Sequence, residues 1–273
     1  MTARARPGAY ARLVLRITDA RTGELVDATP ARRGLTRVEA RTHGFDPTNL
    51  RVLLVADLLV RALELGGTPV WALLDGERDL PELRAAGAAL GVRPFEDGRD
   101  VGTGLGEAQV LHVVREGGET PEGVRVAVAP VHREGPGDDA PDGTDNGATG
   151  PAGLTAPHHP AEPAVLRLAL LARPRSSPLR LGPAALDEAA DTLGRWRGAV
   201  AGWAHRPSRP IPDTVRADLR AAWEDDLDVV GVLRVLHAVE RDPEVPDGAR
   251  FETYAYADRL LGLDLTRDLG SPA

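Results

Sequence analysis

The 273-residue chain has no cysteine and no lysine, a single methionine, and aromatic residues at only 4%. Without thiols there is no disulfide and no thiolate zinc site, so redox chemistry does not point to a compartment. Without lysine, all 33 basic side chains are arginine. A Schiff-base lysine, a P-loop lysine and any motif that sets an ammonium against a phosphate are excluded. A biased coding composition accounts for the absence and fits the 30 Gly and 23 Pro. No apolar run approaches the ~18 residues of a membrane span. The basic start, MTARARPGAYARLVLR, has neither a long apolar core nor a cleavage pattern. The expectation is a cytoplasmic protein with no signal peptide and no membrane partner.

Charge is present but uneven. The net charge is −8; residues 1–51 hold ten Arg against five acids, and residues 211–270 hold seven Arg against fourteen. The acidic C-terminal part is a poor surface for phosphates, so tRNA is not an expected partner. A protein partner or a small ligand remains.

The most structured stretch is Asp46 to Gly67, DPTNLRVLLVADLLVRALELGG. Asp46 can cap the first turn, Pro47 fits the first helical position, and Gly66-Gly67 supplies a left-handed stop. Only Arg51, Asp57, Arg61 and Glu64 interrupt its apolar surface, and Asp57 and Arg61 are spaced to pair. A helix that apolar is largely buried. Before it, alternation predicts strands at 11–17, 24–28 and 35–42, with a turn at 19–23. A strand at 68–74 follows at once, which makes a βαβ unit with a parallel pair. A short helix over 81–90 and strands at 109–114 and 124–131 come next, the last two separated by EGGETPEG. The segment 134–163 has six acids, no arginine and a high share of Pro and Gly, and reads as a disordered linker. Beyond it the pattern is helical throughout: 163–173, 183–204, 213–224, 227–241 and 250–261. The expected fold is therefore α/β, a partial Rossmann-like nucleotide-binding part over 1–133, the linker, and an α-helical bundle over 164–273.

Several residues carry a functional and a bland reading side by side. His158-His159 can suggest a metal, but no Asp, Glu or His cluster completes a ligand set, so no metal site is expected. His43, three residues before the helix cap at Asp46, is a phosphate contact or a surface histidine. Arg37, Arg41 and Arg51 flank that mouth and can hold an anion, with Asp46 competing as cap. GTGLG at 102–106 lacks the strand-to-helix context of a phosphate loop and reads as a turn. Trp196, Trp203 and Trp223 stack on bases or pack the core, and their acidic surroundings favour packing. Glu224-Asp225-Asp226 with Asp228 is a cation cluster or a helix junction in which Asp225 or Asp226 caps the next helix.

Taken together, these blocks resemble the cysteinyl-tRNA synthetase and mycothiol cysteine ligase family. The C-terminal blocks are AVLRLALLA at 164–172, LDEAADTLGRWRGAVAGWA at 186–204, AAWEDDLDVVGVLRVLHAVERDP at 221–243 and FETYAYADRLLGLDL at 251–265. The N-terminal blocks are LRITDARTGELVDATPARRGL at 15–35 and NLRVLLVADLLVRALELGGTPV at 49–70, with a weaker one, LRAAGAALGVRP, at 83–94. The resemblance implies a class I synthetase-type nucleotide fold, with ATP held at a His-x-Gly-His or His-x-Gly-Asn signature. The aligned positions are Asp46, Pro47, Thr48 and Asn49, and only Asn49 fits. Asp46 has the wrong sign for a triphosphate, and Thr48 puts a side chain where glycine lets the backbone approach. The family's zinc thiolates and KMSKS lysines have no counterpart, and the stretch from Trp71 to Val165 is short for its catalytic insertion, zinc region and second nucleotide-fold half. The resemblance thus leads to a non-catalytic paralogue with no catalytic residues and no cofactor, acting by binding. Asp46, Thr48, Asn49 and Arg51 are the remnant ATP-site positions. The alternatives are a divergent cysteine-activating ligase that uses ATP, and a regulatory subunit of a true synthetase. Zinc is not expected in any of them.

Overall fold

The computed structural model describes residues 14–29, 34–98, 107–134 and 162–270. The GTGLG turn, His158-His159 and nearly all of the 134–163 linker lie outside the described residues.

Strands β1 (Arg16–Thr18) and β2 (Leu25–Asp27) form the antiparallel hairpin that the turn at 19–23 predicts. The main sheet is built from β3 (Leu35–Thr42), β4 (Val70–Gly76), β5 (Glu96–Asp97), β6 (Glu107–Arg115) and β7 (Val124–Val128). All four pairings are parallel, in the order β5-β4-β3-β6-β7. Counted from β3 this is 3-2-1-4-5, the order of a Rossmann-like half-sheet with its strand reversal between β3 and β6. The short segment after Trp71 thus still supplies strands on both sides of β3.

Helix α1 (Pro47–Leu65) crosses from β3 to β4 and α2 (Leu80–Ala89) from β4 to β5. Only eight residues, 116–123, join β6 to β7, fewer than the dozen of an ordinary parallel crossover. They suffice because β7 is short and begins opposite Leu111, so the chain returns along only the last part of β6. The return is tight enough to need Gly123, at φ 137°, where an added Cβ would stand 2.9 Å from the Val110 carbonyl.

Fifteen of the nineteen residues of α1 are buried, as expected for a helix enclosed on all sides. One side lies on Val38, Ala40, Leu111, Val113, Val126 and Val128 of the sheet, all fully buried. The other meets the helices of the second half. Its end is a Schellman motif: the N–H of Thr68 reaches the Leu63 carbonyl (2.9 Å) and that of Gly67 the Glu64 carbonyl (2.8 Å).

The second half contains α3 (Pro163–Leu171), α4 (Pro183–Trp203), α5 (Asp213–Glu224), α6 (Val229–Arg241) and α7 (Asp247–Leu261). It is not helical throughout. Strand β9 (Leu179–Leu181) pairs in parallel with β8 (Val131–Arg133). Three residues, LRL, carry too little alternation to announce a strand. Trp196, Trp203 and Trp223 are all buried, and Tyr254 meets the first two edge-on at 5.7 and 5.1 Å. The helix junction also corrects the expectation. Asp228 caps α6, accepting from Gly231 N (2.8 Å), whereas Asp226 accepts from Thr18 N (2.7 Å) and Asp225 pairs with Arg16 (3.1 Å). Asp226 and Leu227 both take left-handed φ, 59° and 55°, so neither is placed to cap the helix.

Candidate functional site

In a parallel sheet of this order, ligands bind beyond the carboxyl ends of the strands where the order reverses. Here that position is the turn from Thr42 into α1, and it holds Asp46, Pro47, Thr48 and Asn49. The structure brings them together, and Asp46, Thr48 and Asn49 make hydrogen bonds within the protein. Asp46, extended at φ −147°, accepts from Asn49 N (2.7 Å) and from the Asn49 side-chain amide (2.9 Å). Thr48 Oγ1 accepts from Val131 N (3.0 Å), which fixes the start of β8. Replacing Asp46 with alanine is expected to cost about 1 kcal/mol of stability in chemical denaturation, the usual cost of losing an N-cap.

Arg51 lies one turn further in and is 1% exposed. Its guanidinium donates to five backbone carbonyls: Leu170 (3.2 Å), Ala129 (3.3 Å), Ser177 (2.9 Å), Arg173 (2.9 Å) and Pro174 (2.8 Å). Four of these carbonyls close the end of α3 and the loop after it, and the fifth, Ala129, lies between β7 and β8. Burial lowers the Arg51 pKa to about 10, which leaves the group charged near neutrality. A cavity of about 20 Å³ beside it, lined by Val55, Leu58, Leu170, Pro174 and Leu227, has room for roughly one water. The sequence places Arg51 at the mouth but does not show this role. The available signal is that Pro47, Thr48, Leu54 and Val55, three and four residues away, offer it no carboxylate.

Of the other mouth residues, His43 is exposed and its carbonyl accepts from Arg78 at 3.5 Å. Arg41 spans Glu39 Oε1 (2.6 Å) and Asp75 Oδ2 (2.8 Å). Arg37 lies 3.8 Å from Glu39. Asn49 keeps one opening, since its Oδ1 is buried and has no hydrogen-bond partner. The mouth is therefore built from the Asp46 carboxylate and the buried Asn49 carbonyl oxygen, with the Arg51 guanidinium and the Thr48 hydroxyl occupied. That set accepts hydrogen bonds far better than it binds anions.

Behind the mouth, Asp57 is fully buried and gathers three arginines. Arg61 (2.8 Å) and Arg167 (3.0 Å) meet Oδ2, and Arg93 (3.2 Å) meets Oδ1. Arg167, also fully buried, donates to the Leu90 (2.9 Å) and Leu261 carbonyls as well. Burial opposes the Asp57 charge, yet Arg167 and Arg61 hold its pKa below the usual carboxylate range. Among the described residues no group of three or more His, Cys, Asp or Glu could hold a metal ion, and no helix is long and apolar enough to cross a membrane.

No protein-family model matches the chain. It is similar over part of its length to proteins named L-cysteine:1D-myo-inositol 2-amino-2-deoxy-alpha-D-glucopyranoside ligase. The one from Thermobispora bispora is 42% identical over 80 residues, 29% of this chain and 19% of that protein. Those from Acidothermus cellulolyticus and Streptosporangium roseum are 36% and 38% identical over 106 and 113 residues, 38% of this chain in each case. The matched region spans about a quarter or less of these relatives, 25% and 26% for the last two. The chain is thus a Rossmann-like α/β sheet followed by helices, similar in sequence over part of its length to these L-cysteine ligases.

Proposed function

We propose that the chain is a non-catalytic relative of the cysteine-activating ligases, acting in the cytoplasm by binding a protein partner or a small ligand. The observation that carries this is the commitment of the α1 mouth to the protein's own structure. Arg51 is spent on five carbonyls, Thr48 on Val131, and Asp46 sets a carboxylate where triphosphate charge would gather. Binding energy for a phosphoanhydride would have to come from groups that are free to meet it. Pyrophosphate exchange with cysteine and ATP is the direct test. No exchange above the protein-free rate is expected, and sustained exchange would sink the reading.

A divergent ATP-dependent cysteine ligase is the second reading, favoured by the unpartnered Asn49 Oδ1 at the one position that fits the family signature. It requires calorimetric ATP binding that Asn49→Ala weakens. A titration flat up to millimolar ATP would remove it.

A further inference from the structure

The sheet face turned away from α1 carries buried charge that the mouth does not use. Glu39 of β3 and His112 of β6 are registered neighbours there, with side chains 9% and 1% exposed. Glu39 Oε1 accepts from Arg41, while Oε2 lies 3.5 Å from His112 Nδ1. His112 Nε2 stands 3.2 Å from the Glu122 carbonyl. A carbonyl can only accept, so Nε2 carries the ring hydrogen and Nδ1 of the neutral ring is bare. Nδ1 has no hydrogen-bond partner. With Glu39 ionised, two lone pairs would face each other in a dry interior with nothing between them.

We propose that Glu39 and His112 hold one proton between them, carried on Glu39 Oε2 and directed at His112 Nδ1, as a pH-sensitive latch between the two strands that flank the strand reversal. The charges around the pair disfavour an imidazolium, while Arg41 and Arg37, whose Nε lies 3.8 Å from Glu39 Oε2, oppose the proton on Glu39 and burial favours it. Arg41 has a second carboxylate in Asp75 at 2.8 Å and does not need Glu39 ionised. Arg41 and Arg37 on β3 and Arg21 in the hairpin turn set positive charge near the imidazole, Arg125 is registered opposite it on β7, and Asp19 is turned to the Arg125 N–H (3.1 Å). An imidazolium is therefore the costly form. Burial favours the neutral form of both groups, raising the Glu39 pKa against the pull of Arg41 and Arg37 and lowering that of His112 to about 4.

The latch has a definite linkage signature. Between pH 5 and 6.5 the unfolded chain carries one proton on this pair, on the histidine, and the folded chain carries one, on the glutamate, so unfolding exchanges none. Above 6.5 only the folded chain holds it, and stability falls with pH until Glu39 ionises. Glu39→Gln removes the held proton while its amide can still donate to Nδ1. Relative to the unmodified protein, its folding equilibrium constant is expected to gain about tenfold per pH unit from pH 5 to 7. Parallel stability profiles for the two proteins would overturn the proposal. Nitrogen NMR of ¹⁵N-histidine-labelled full chain, with His112 assigned by its loss in His112→Gln, tests it without the glutamate variant. The expected spectrum is a neutral Nε2–H ring down to pH 5 with Nδ1 shifted as an acceptor. A ring protonated on both nitrogens, or titrating near 6.5, would overturn it.

Discussion

Replacing Arg51 with methionine is expected to destabilise the protein by about 3–5 kcal/mol. Methionine keeps the apolar stem, so the loss isolates the guanidinium. Five carbonyls at the end of α3, in the loop after it and at Ala129 would lose their donor in a space that admits about one water. Each orphaned acceptor costs about 1–3 kcal/mol if it stays dry, and relaxation of the loop brings the sum down. Against a total stability of about 5–15 kcal/mol, such a loss lowers the urea midpoint severely. Arg51→Lys should fall between, since one ammonium has three donors for five acceptors. Equal midpoints for the methionine variant and the unmodified protein would show that the carbonyls find water.

Asp57→Asn is the second large effect, about 3–5 kcal/mol. The substitution conserves volume, removes the charge and turns one of the two acceptor oxygens into a donor facing arginine. It leaves Arg167 fully buried opposite a neutral amide, with Arg61 and Arg93 nearby. Combining it with Arg167→Met should cost less than the sum of the single changes, because the uncompensated cation leaves with its partner. Acid unfolding provides an independent check. The folded pKa of Asp57 lies below its ordinary 3.8, so its contribution is full above about that pH and is lost as pH falls through the lower folded value. The unmodified protein should therefore lose stability more steeply below pH 4 than Asp57→Asn does.

The features legible in the sequence were those written by local rules. Asp46, Pro47 and Gly66-Gly67 bound α1 to within a residue or two, because caps and left-handed stops depend on neighbours alone. The strand at 35–42 and the parallel βαβ unit followed from alternation and short joints. The position of β6 and β7 beside β3 was not legible, since nothing local says on which side of a strand a later one will pair. Strands β5, β8 and β9 have two or three residues each, too few to show a period. The burial of Glu39 and His112 was hidden for a related reason. Arg37, Glu39 and Arg41 alternate along β3 as they would on a solvated face, and only the fold shows that face closed over them. Arg51 and Arg167 were visible as arginines within apolar helices, but the partners of Arg51 are backbone atoms more than seventy residues away that leave no mark in side-chain identity, and Arg167 divides its guanidinium between such carbonyls and Asp57 on a distant helix.

That distance has a consequence for how the protein is made. Arg51 leaves the ribosome 119 residues before Leu170, whose carbonyl it must reach. At about 5–20 residues per second this is roughly 6–24 s. Throughout that time α1 can lie on β3 and β4, but its outer side has nothing to cover it and a guanidinium without partners. The nascent sheet thus lacks its outer cover until the second half arrives: α3 and the loop after it bring the acceptors of Arg51, and α7 packs on α1 last. Stalled translation products in which only the part before residue 163 has emerged should accordingly bind chaperones that read exposed apolar helices, and those in which residue 261 has emerged should release them.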